Sequence, residues 1–600
     1  MVTVVTVATT QISINAILLE FLSQITEPTV TACYVYGKKS SSTIPIDYHT
    51  LIQEANGADP FSVPDGSDPK NNQDLIKLQN VQFVGAFRAT VGLPSGVDPA
   101  DLPDLVTLGA DTSQVLFNLL CSDFTVVGFG GSIYDLDWLN QSQASEALWT
   151  FASQVDMRFS TVDQDAYNKL PPAVQNELEN LSGTAFSVQQ LLFNLDNAGL
   201  LSTPSIANIP SGSPLWDLLE STFVSQYFTQ MQSSGQPLLG VGVVQQTPPT
   251  ASLNLTDLNF AVSPYVDQNG QPYSNPTDAQ KQMATLNYLC AINNNLPPAV
   301  QFNWNWVDIS DQSNFDGVVS VNRNDFAAYL AGPMAAYASQ YCIQPTCHVD
   351  FDGTSIVFSC SLQNNSPNVT AVLSGDNVMT MSYIGTDSDS KVIDYNTSAS
   401  LQITATYTMN MFFSGTRVTI TQQQVIYVNI QGSMTRGADG NMVDTTITDT
   451  YDLYIDEGGN LGCSCTSQTV INPTFPPISP IRNFFTGLGD ISQKILGEIQ
   501  DFQGGQLSDM PLAPFQKFVF PGGNTFTFKN VQFSNNQDLV TAITYQDPSG
   551  SVAVMPRPSK LKTSPRNLYI KSIYDDEQAR AEHHKKETYV SSHSEETRSL

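Results

Sequence analysis

Between Leu401 and Met411 every second residue is apolar. Leu401, Ile403, Ala405, Tyr407, Met409 and Met411 fall on one side, and Gln402, Thr404, Thr406, Thr408 and Asn410 on the other. A strict period of two over this stretch predicts one long β-strand, about 35 Å from end to end, with one apolar face and one wet face. Ser414-Gly415 then marks a turn. A second strand is expected from Arg417 through Val418 and Ile420 to 425–430. A third runs from Val443 through Ile447, Tyr451 and Leu453 to Ile455 and stops at Glu457-Gly458-Gly459-Asn460. Long consecutive strands joined by tight turns predict an antiparallel meander. Ordinary strands run about five or six residues, so this sheet is expected to be large and curved.

An apolar sheet face has to be covered. Two stretches carry the helical period instead. Residues 484–502 put Phe485, Leu488, Ile491, Ile495, Ile499 and Phe502 on one stripe, and residues 215–231 do the same with Leu215, Leu218, Leu219, Phe223, Tyr227 and Met231. Core-facing packing is their plain reading; a ligand-facing lid over the meander is the alternative. The expected fold class is therefore mainly β with a few amphipathic α-helices (α+β), built from long curved antiparallel sheets wrapped on helices.

A short pattern recurs. Ile12-Ser-Ile-Asn15 precedes the apolar run 17–22, and Val319-Ser-Val-Asn322 precedes Asp325–Leu330; Phe186-Ser-Val-Gln189 before 191–195 is a fainter third copy. Each reads as a strand end entering a helix start, with Ser or Asn as N-cap, and the two stronger copies suggest a duplicated plan. Phe302, Trp304 and Trp306 alternate as on one strand, best read as core. Phe518–Phe528 reads as a hairpin turning at Pro521-Gly522-Gly523-Asn524.

Proline-rich stretches and a change in composition divide the chain into four parts. Residues 1–300 form a β-rich module with helices, and 301–480 the long-stranded meander module. Residues 481–548 hold the amphipathic helix and the hairpin, packed on the body. In 549–600 periodicity fades and charge rises, which predicts a disordered charged tail.

The chain has 600 residues, of which 41% are hydrophobic, 10% aromatic and only 14% charged. That composition suits a packed interior and excludes a charge-rich disordered chain or a coiled coil. The formal net charge is −31. Seven basic and seven acidic residues cancel in the last forty positions, so the first 560 carry all of it. Such a body repels phosphate backbones, which argues against nucleic acid as a partner. Purely electrostatic docking on anionic lipid is disfavoured as well, but burial of a lipid in an apolar seam is not. No apolar run approaches the roughly 20 residues of a transmembrane helix. The Val/Thr alternation of the first ten residues reads as a strand and not as a signal segment, so a cytoplasmic location is expected.

Candidate chemistry is sparse. Of the five histidines, His583, His584 and His593 lie in the tail, which leaves His49 and His348 for any Ser-His-Asp or Cys-His arrangement; neither has a nucleophile motif near it. Eight cysteines include Cys342-x4-Cys347-His348 and Cys463-Ser-Cys465, spacings looser than paired zinc knuckles. Gly128-Phe-Gly-Gly-Ser132 lacks the lysine of a phosphate-binding loop and reads as a turn or bulge. Asp135 and Asp137, Asp350 and Asp352, and Asp387 and Asp389 lack the continuation of glycosidase or calcium sites and read as turn or loop carboxylates. No metal, no cofactor and no enzymatic activity are expected.

Phe302-Asn-Trp-Asn-Trp-Val307, the following Gly-Val-Val-Ser-Val-Asn322, Phe186–Leu195 and Phe518–Phe528 together resemble a group of large uncharacterised fungal proteins, across most of residues 10–548. More distantly, the layout is similar to the tubular lipid-binding (TULIP) superfamily, to which accessory proteins of clostridial neurotoxin clusters belong. That resemblance implies long strands wrapped around a helix, with lipid held in the seam.

The function expected is non-enzymatic binding of a lipid or other hydrophobic small molecule between sheet and helix. Leu401, Ile403, Tyr407, Met409 and Met411 are the expected contacts from the sheet, and Phe485, Leu488, Ile491 and Ile495 those from the lid. The alternative is a structural or interaction protein, such as a toxin-complex or surface component, with a protein partner engaged through the C-terminal tail, where Ser564-Pro565 is a candidate docking segment.

Overall fold

The computed structural model describes residues 5–24, 29–37, 42–94, 96–97, 101–109, 111–132, 135–144, 147–168, 170, 172–181, 187–202, 214–219, 238–244, 253–292, 296–364, 377–433, 435–476, 518–519 and 525–546. The fold is mainly β. Among these residues the strands form antiparallel sheets of seven, ten, five and two strands.

The seven-stranded sheet is assembled from distant parts of the chain. Its order is Asp257–Ser263, Thr285–Ala291, Val5–Thr10, Gly317–Val321, Leu539–Gln546 and Thr525–Phe528, with Gln532–Phe533 also on Leu539–Gln546. It thus draws strands from both sides of positions 300 and 480. Val5–Thr10 is buried at all six positions, as a central strand covered on both faces must be.

The sequence echo has a structural counterpart, shifted in register. Val5–Thr10 runs straight into helix Gln11–Gln24, and Gly317–Val321 runs into helix Arg323–Ala338. These two strands lie side by side and antiparallel, with Val7 opposite Val319, so their helices leave from opposite ends of one sheet. Asn322 caps its helix as expected, accepting from Asn324 N–H at 2.9 Å. Ile12–Asn15 already lies inside the first helix, and Asn15 is not its cap.

Three expectations are corrected. Residues 191–195 are not a helix but part of the strand Ser187–Ser202, paired to Thr150–Thr161 with Leu191 opposite Phe159. Phe302–Trp306 is not a strand; it is a packed loop in which Phe302 and Trp306 are buried and their rings sit 5.0 Å apart. The two arms of the expected 518–528 hairpin pair elsewhere. Phe518–Val519 joins Leu238–Val244 in the ten-stranded sheet, while Thr525–Phe528 joins Leu539–Gln546.

The ten-stranded sheet contains Gln114–Ser132, so Gly128 and Gly130 lie on a strand that pairs with Asp135–Ser142. Gly128 makes room for Leu215 of the short helix Pro214–Leu218: a Cβ there would come within 2.9 Å of Leu215 Cδ1 and of the Val84 carbonyl. The glycine-rich run is therefore a packing notch.

The meander is the five-stranded sheet Met379–Asp394, Thr397–Ser414, Arg417–Gly432, Thr435–Ile455 and Leu461–Ile471, in chain order. Thr397–Ser414 alternates buried and more exposed positions from Ala399 to Phe413. The hairpin Ile343–Phe351/Ile356–Asn364 packs against the same sheet.

Candidate ligand-binding seam

Leu401, Ile403, Tyr407, Met409 and Met411 all point to the inner face of the meander, and each is 0% exposed. Two covers divide that face. Tyr407, Met409 and Met411 belong to the main apolar cluster, together with Met379 and Met381 of the neighbouring strand and Phe326, Leu330 and Met334 of helix Arg323–Ala338. Contact between helix and sheet is direct where Phe326 meets Phe413, with ring centroids 5.5 Å apart, and Tyr341, just past the helix, stacks on Tyr407 at 6.0 Å. Leu401 and Ile403 belong to a second cluster with Cys347, Val349, Phe358 and Cys360 of the hairpin.

The hairpin is held to the meander by carboxylates. Asp387 Oδ2 accepts from Cys347 N–H at 2.6 Å, and Asp389 Oδ2 from Val349 N–H at 2.7 Å. The spacing of two on both strands aligns side-chain acceptors with alternate backbone donors, where a ladder would otherwise form. Close approach is possible because residue 385 is glycine: a Cβ there would run into the Ile343 carbonyl oxygen. Backbone N–H groups of Val349 and Ser390, and then His348, hold the Asp389 carboxyl below its ordinary range. Asp352 accepts from Thr354 N–H and Ser355 N–H, both at 2.8 Å, in the hairpin turn, and these bonds likewise lower its pKa.

Two carboxyl groups lie close together at the start of the helix that covers the seam. Burial, and then the neighbouring Asp538 carboxylate, push the Asp325 carboxyl up to about 6. Asp538 is half-buried and raised as well, and it accepts from Arg323 N–H at 2.9 Å.

A polar group interrupts the apolar face at its middle. On the strand Arg417–Gly432 the inward positions run Val418, Ile420, Gln422, Gln424, Ile426, Val428 and Ile430. Gln422, 0% exposed, accepts from Tyr407 Oη at 2.9 Å and donates to Asp449 Oδ2 at 3.3 Å; Ser467 Oγ donates to Asp449 Oδ1 at 2.6 Å. Gln424 is also buried, and neither its Nε2 nor its Oε1 has a hydrogen-bond partner.

Phe485, Leu488, Ile491 and Ile495, the expected lid, lie outside the described residues, as do Phe223, Tyr227 and Met231. The cover that is described, helix Arg323–Ala338, was legible only as a helix start. Its signal is Phe326, Leu330 and Met334 at steps of four, broken in appearance by Gly332-Pro333 inside the helix. No sequence signal sets the two inward glutamines apart, because the run Gln422-Gln423-Gln424 conceals the alternation around it.

Cys342 and Cys347, beside the seam, offer little reactivity. Burial pushes the Cys342 thiol up to about 11 and, with help from Asp387, the Cys347 thiol up to about 12, far from thiolate character at neutral pH. His348 Nδ1 stands 3.3 Å from Asp389 Oδ2 on the exposed side of its strand, and His49 is exposed on helix Tyr48–Glu54. Among the described residues, no three His, Cys, Asp or Glu side chains gather as metal ligands. No helix among them is long and apolar enough to cross a membrane.

No protein-family model matches this chain, and no curated protein matches it in sequence. Among solved structures it is similar to P47 from Clostridium botulinum A2, with 10% identity and a TM-score of 0.41 over 90% of this chain and 96% of that one. It is also similar to lipopolysaccharide binding protein, with 9% identity and a TM-score of 0.26 over 91% of this chain and 100% of the other.

Proposed function

We propose that the protein binds a lipid or other hydrophobic small molecule, without chemical conversion, in the seam between the meander and helix Arg323–Ala338. One observation carries the reading. Of the six methionines buried in the main apolar cluster, five, Met334, Met379, Met381, Met409 and Met411, lie on the meander strands and the helix that meet there. Methionine is unbranched and polarizable, so a wall built of it adapts to a guest at low cost. Each methylene of an acyl chain moved from water into such a wall contributes about 0.8 kcal/mol, which makes a long chain a strong ligand without any charge pairing.

The test is uptake of a fluorescent acyl probe by wild type and by Met409→Trp and Met381→Trp, with circular dichroism as a check on folding. The reading expects saturable uptake by wild type and its loss in folded variants that fill the seam. Uptake unchanged in both folded variants would remove the ligand from this face. The alternative, a structural or interaction protein without ligand, expects no saturable uptake by any of the three.

A further inference from the structure

We propose that Gln424 is the polar recognition group of the seam, and that it selects an amphiphile with a neutral head carrying both a hydrogen-bond donor and an acceptor, such as a primary amide or a hydroxyl. This inference rests on the ligand-binding reading above. Gln424 is 1% exposed, and its donor and acceptor are both unmatched. A buried polar atom without a partner costs about 1–3 kcal/mol, and buried polar groups are overwhelmingly paired. The neighbouring Gln422 shows what the same side chain does here when its needs are met: it takes Tyr407 on one side and Asp449 on the other.

The position of Gln424 suits a head group. Tyr407 is its register partner on one flanking strand and Thr445 on the other. It also sits where the two apolar clusters meet, with Met409, Met411 and the helix on one side and Ile426, Val428 and the hairpin on the other. A ligand anchored here has apolar wall available for its tail.

The charges around it set the class of head. Asp449 is 0% exposed, one hydrogen bond beyond Gln422, and among the described residues no lysine, arginine or histidine is buried. A carboxylate or phosphate brought to Gln424 would therefore be buried with no cation to balance it, which is costly. A primary amide or hydroxyl satisfies both atoms of Gln424 and carries no charge.

Three probes of equal chain length separate the possibilities: oleamide, oleate and 1-octadecene, each delivered from cyclodextrin at pH 8 and read by displacement of the fluorescent acyl probe. Wild type is expected to bind oleamide about tenfold or more tighter than either of the others, as two net hydrogen bonds would give. Gln424→Leu and Gln424→Met keep the volume and remove the unmatched amide, so both should fold. Each is expected to retain octadecene and to lose the amide preference. If wild type binds the three probes alike, or if folded variants keep the preference, Gln424 is not the recognition group, while the ligand-binding reading stands. If the acyl label binds wild type saturably but no probe displaces it, Gln424 is not the recognition group; if the label itself shows no saturable binding, both readings fall together.

Discussion

The side-chain amide of Asn15 and the backbone of Val106 exchange two hydrogen bonds, Asn15 Nδ2 to the Val106 carbonyl and Val106 N–H to Asn15 Oδ1, each 2.8 Å. One turn earlier on the same helix, Gln11 Oε1 accepts from Leu108 N–H at 2.7 Å. Two amides spaced four apart on helix Gln11–Gln24 thus serve the edge of the short strand Val106–Leu108 as a neighbouring strand would. The matching works because i and i+4 share a helix face, while alternate residues on a strand share one edge. Asn15→Ala leaves a buried donor and a buried acceptor unmatched and is expected to destabilise the fold by about 2–4 kcal/mol. Urea denaturation should show the midpoint falling with an unchanged slope.

The hairpin Ile343–Asn364 is expected to loosen in acid. The Asp389 pKa is depressed in the folded state by the Val349 N–H, the Ser390 N–H and His348. The folded protein therefore binds that proton less readily than the unfolded chain. The contribution to stability is complete above the ordinary carboxyl range near 4 and is lost as pH falls through the lowered folded value. Hydrogen-exchange protection of the Val349 amide should drop over that window in wild type. In Asp389→Asn it should start lower and stay flat.

Helix Arg323–Ala338 carries the opposite sign. Asp325 is raised to about 6 by burial and then by Asp538, so the folded state holds this proton more tightly than the unfolded chain. The favourable contribution is present below the ordinary value near 4 and is lost as pH rises through about 6. Asp325→Asn should raise the melting temperature at pH 7.5 and leave it close to wild type at pH 4. Equal shifts at both pH values would exclude ionisation as the cause.

Gly385 lets the hairpin cross the meander at backbone distance. Gly385→Ala forces the Ile343 carbonyl away and should cost about 1–3 kcal/mol, as overpacking generally does. It should also expose Leu401 and Ile403, which the hairpin cluster buries. Increased binding of an apolar dye by the variant, with the rest of the fold intact, checks both consequences.

The legible part of this protein is the part with one-sided burial. Leu401–Met411 alternates because its outer face is wet, so the strand, its direction of facing and its neighbours follow from period two. Leu191–Leu195 is an apolar run compatible with either period, and only its pairing to Thr150–Thr161 decides it. Phe302, Trp304 and Trp306 alternate without any strand beside them, so their rings pack in a loop. The seam's helical cover was hidden by Gly332-Pro333. The Gln422–Asp449 pair joins residues on different strands, and no local pattern encodes a contact set by register.

The most direct test of the central claim is native mass spectrometry of the protein purified from its own source, followed by organic extraction. The account predicts a reproducible excess mass that extracts as a hydrophobic molecule with a neutral head group. A bare polypeptide mass that also takes up nothing from a mixed-lipid suspension would contradict it.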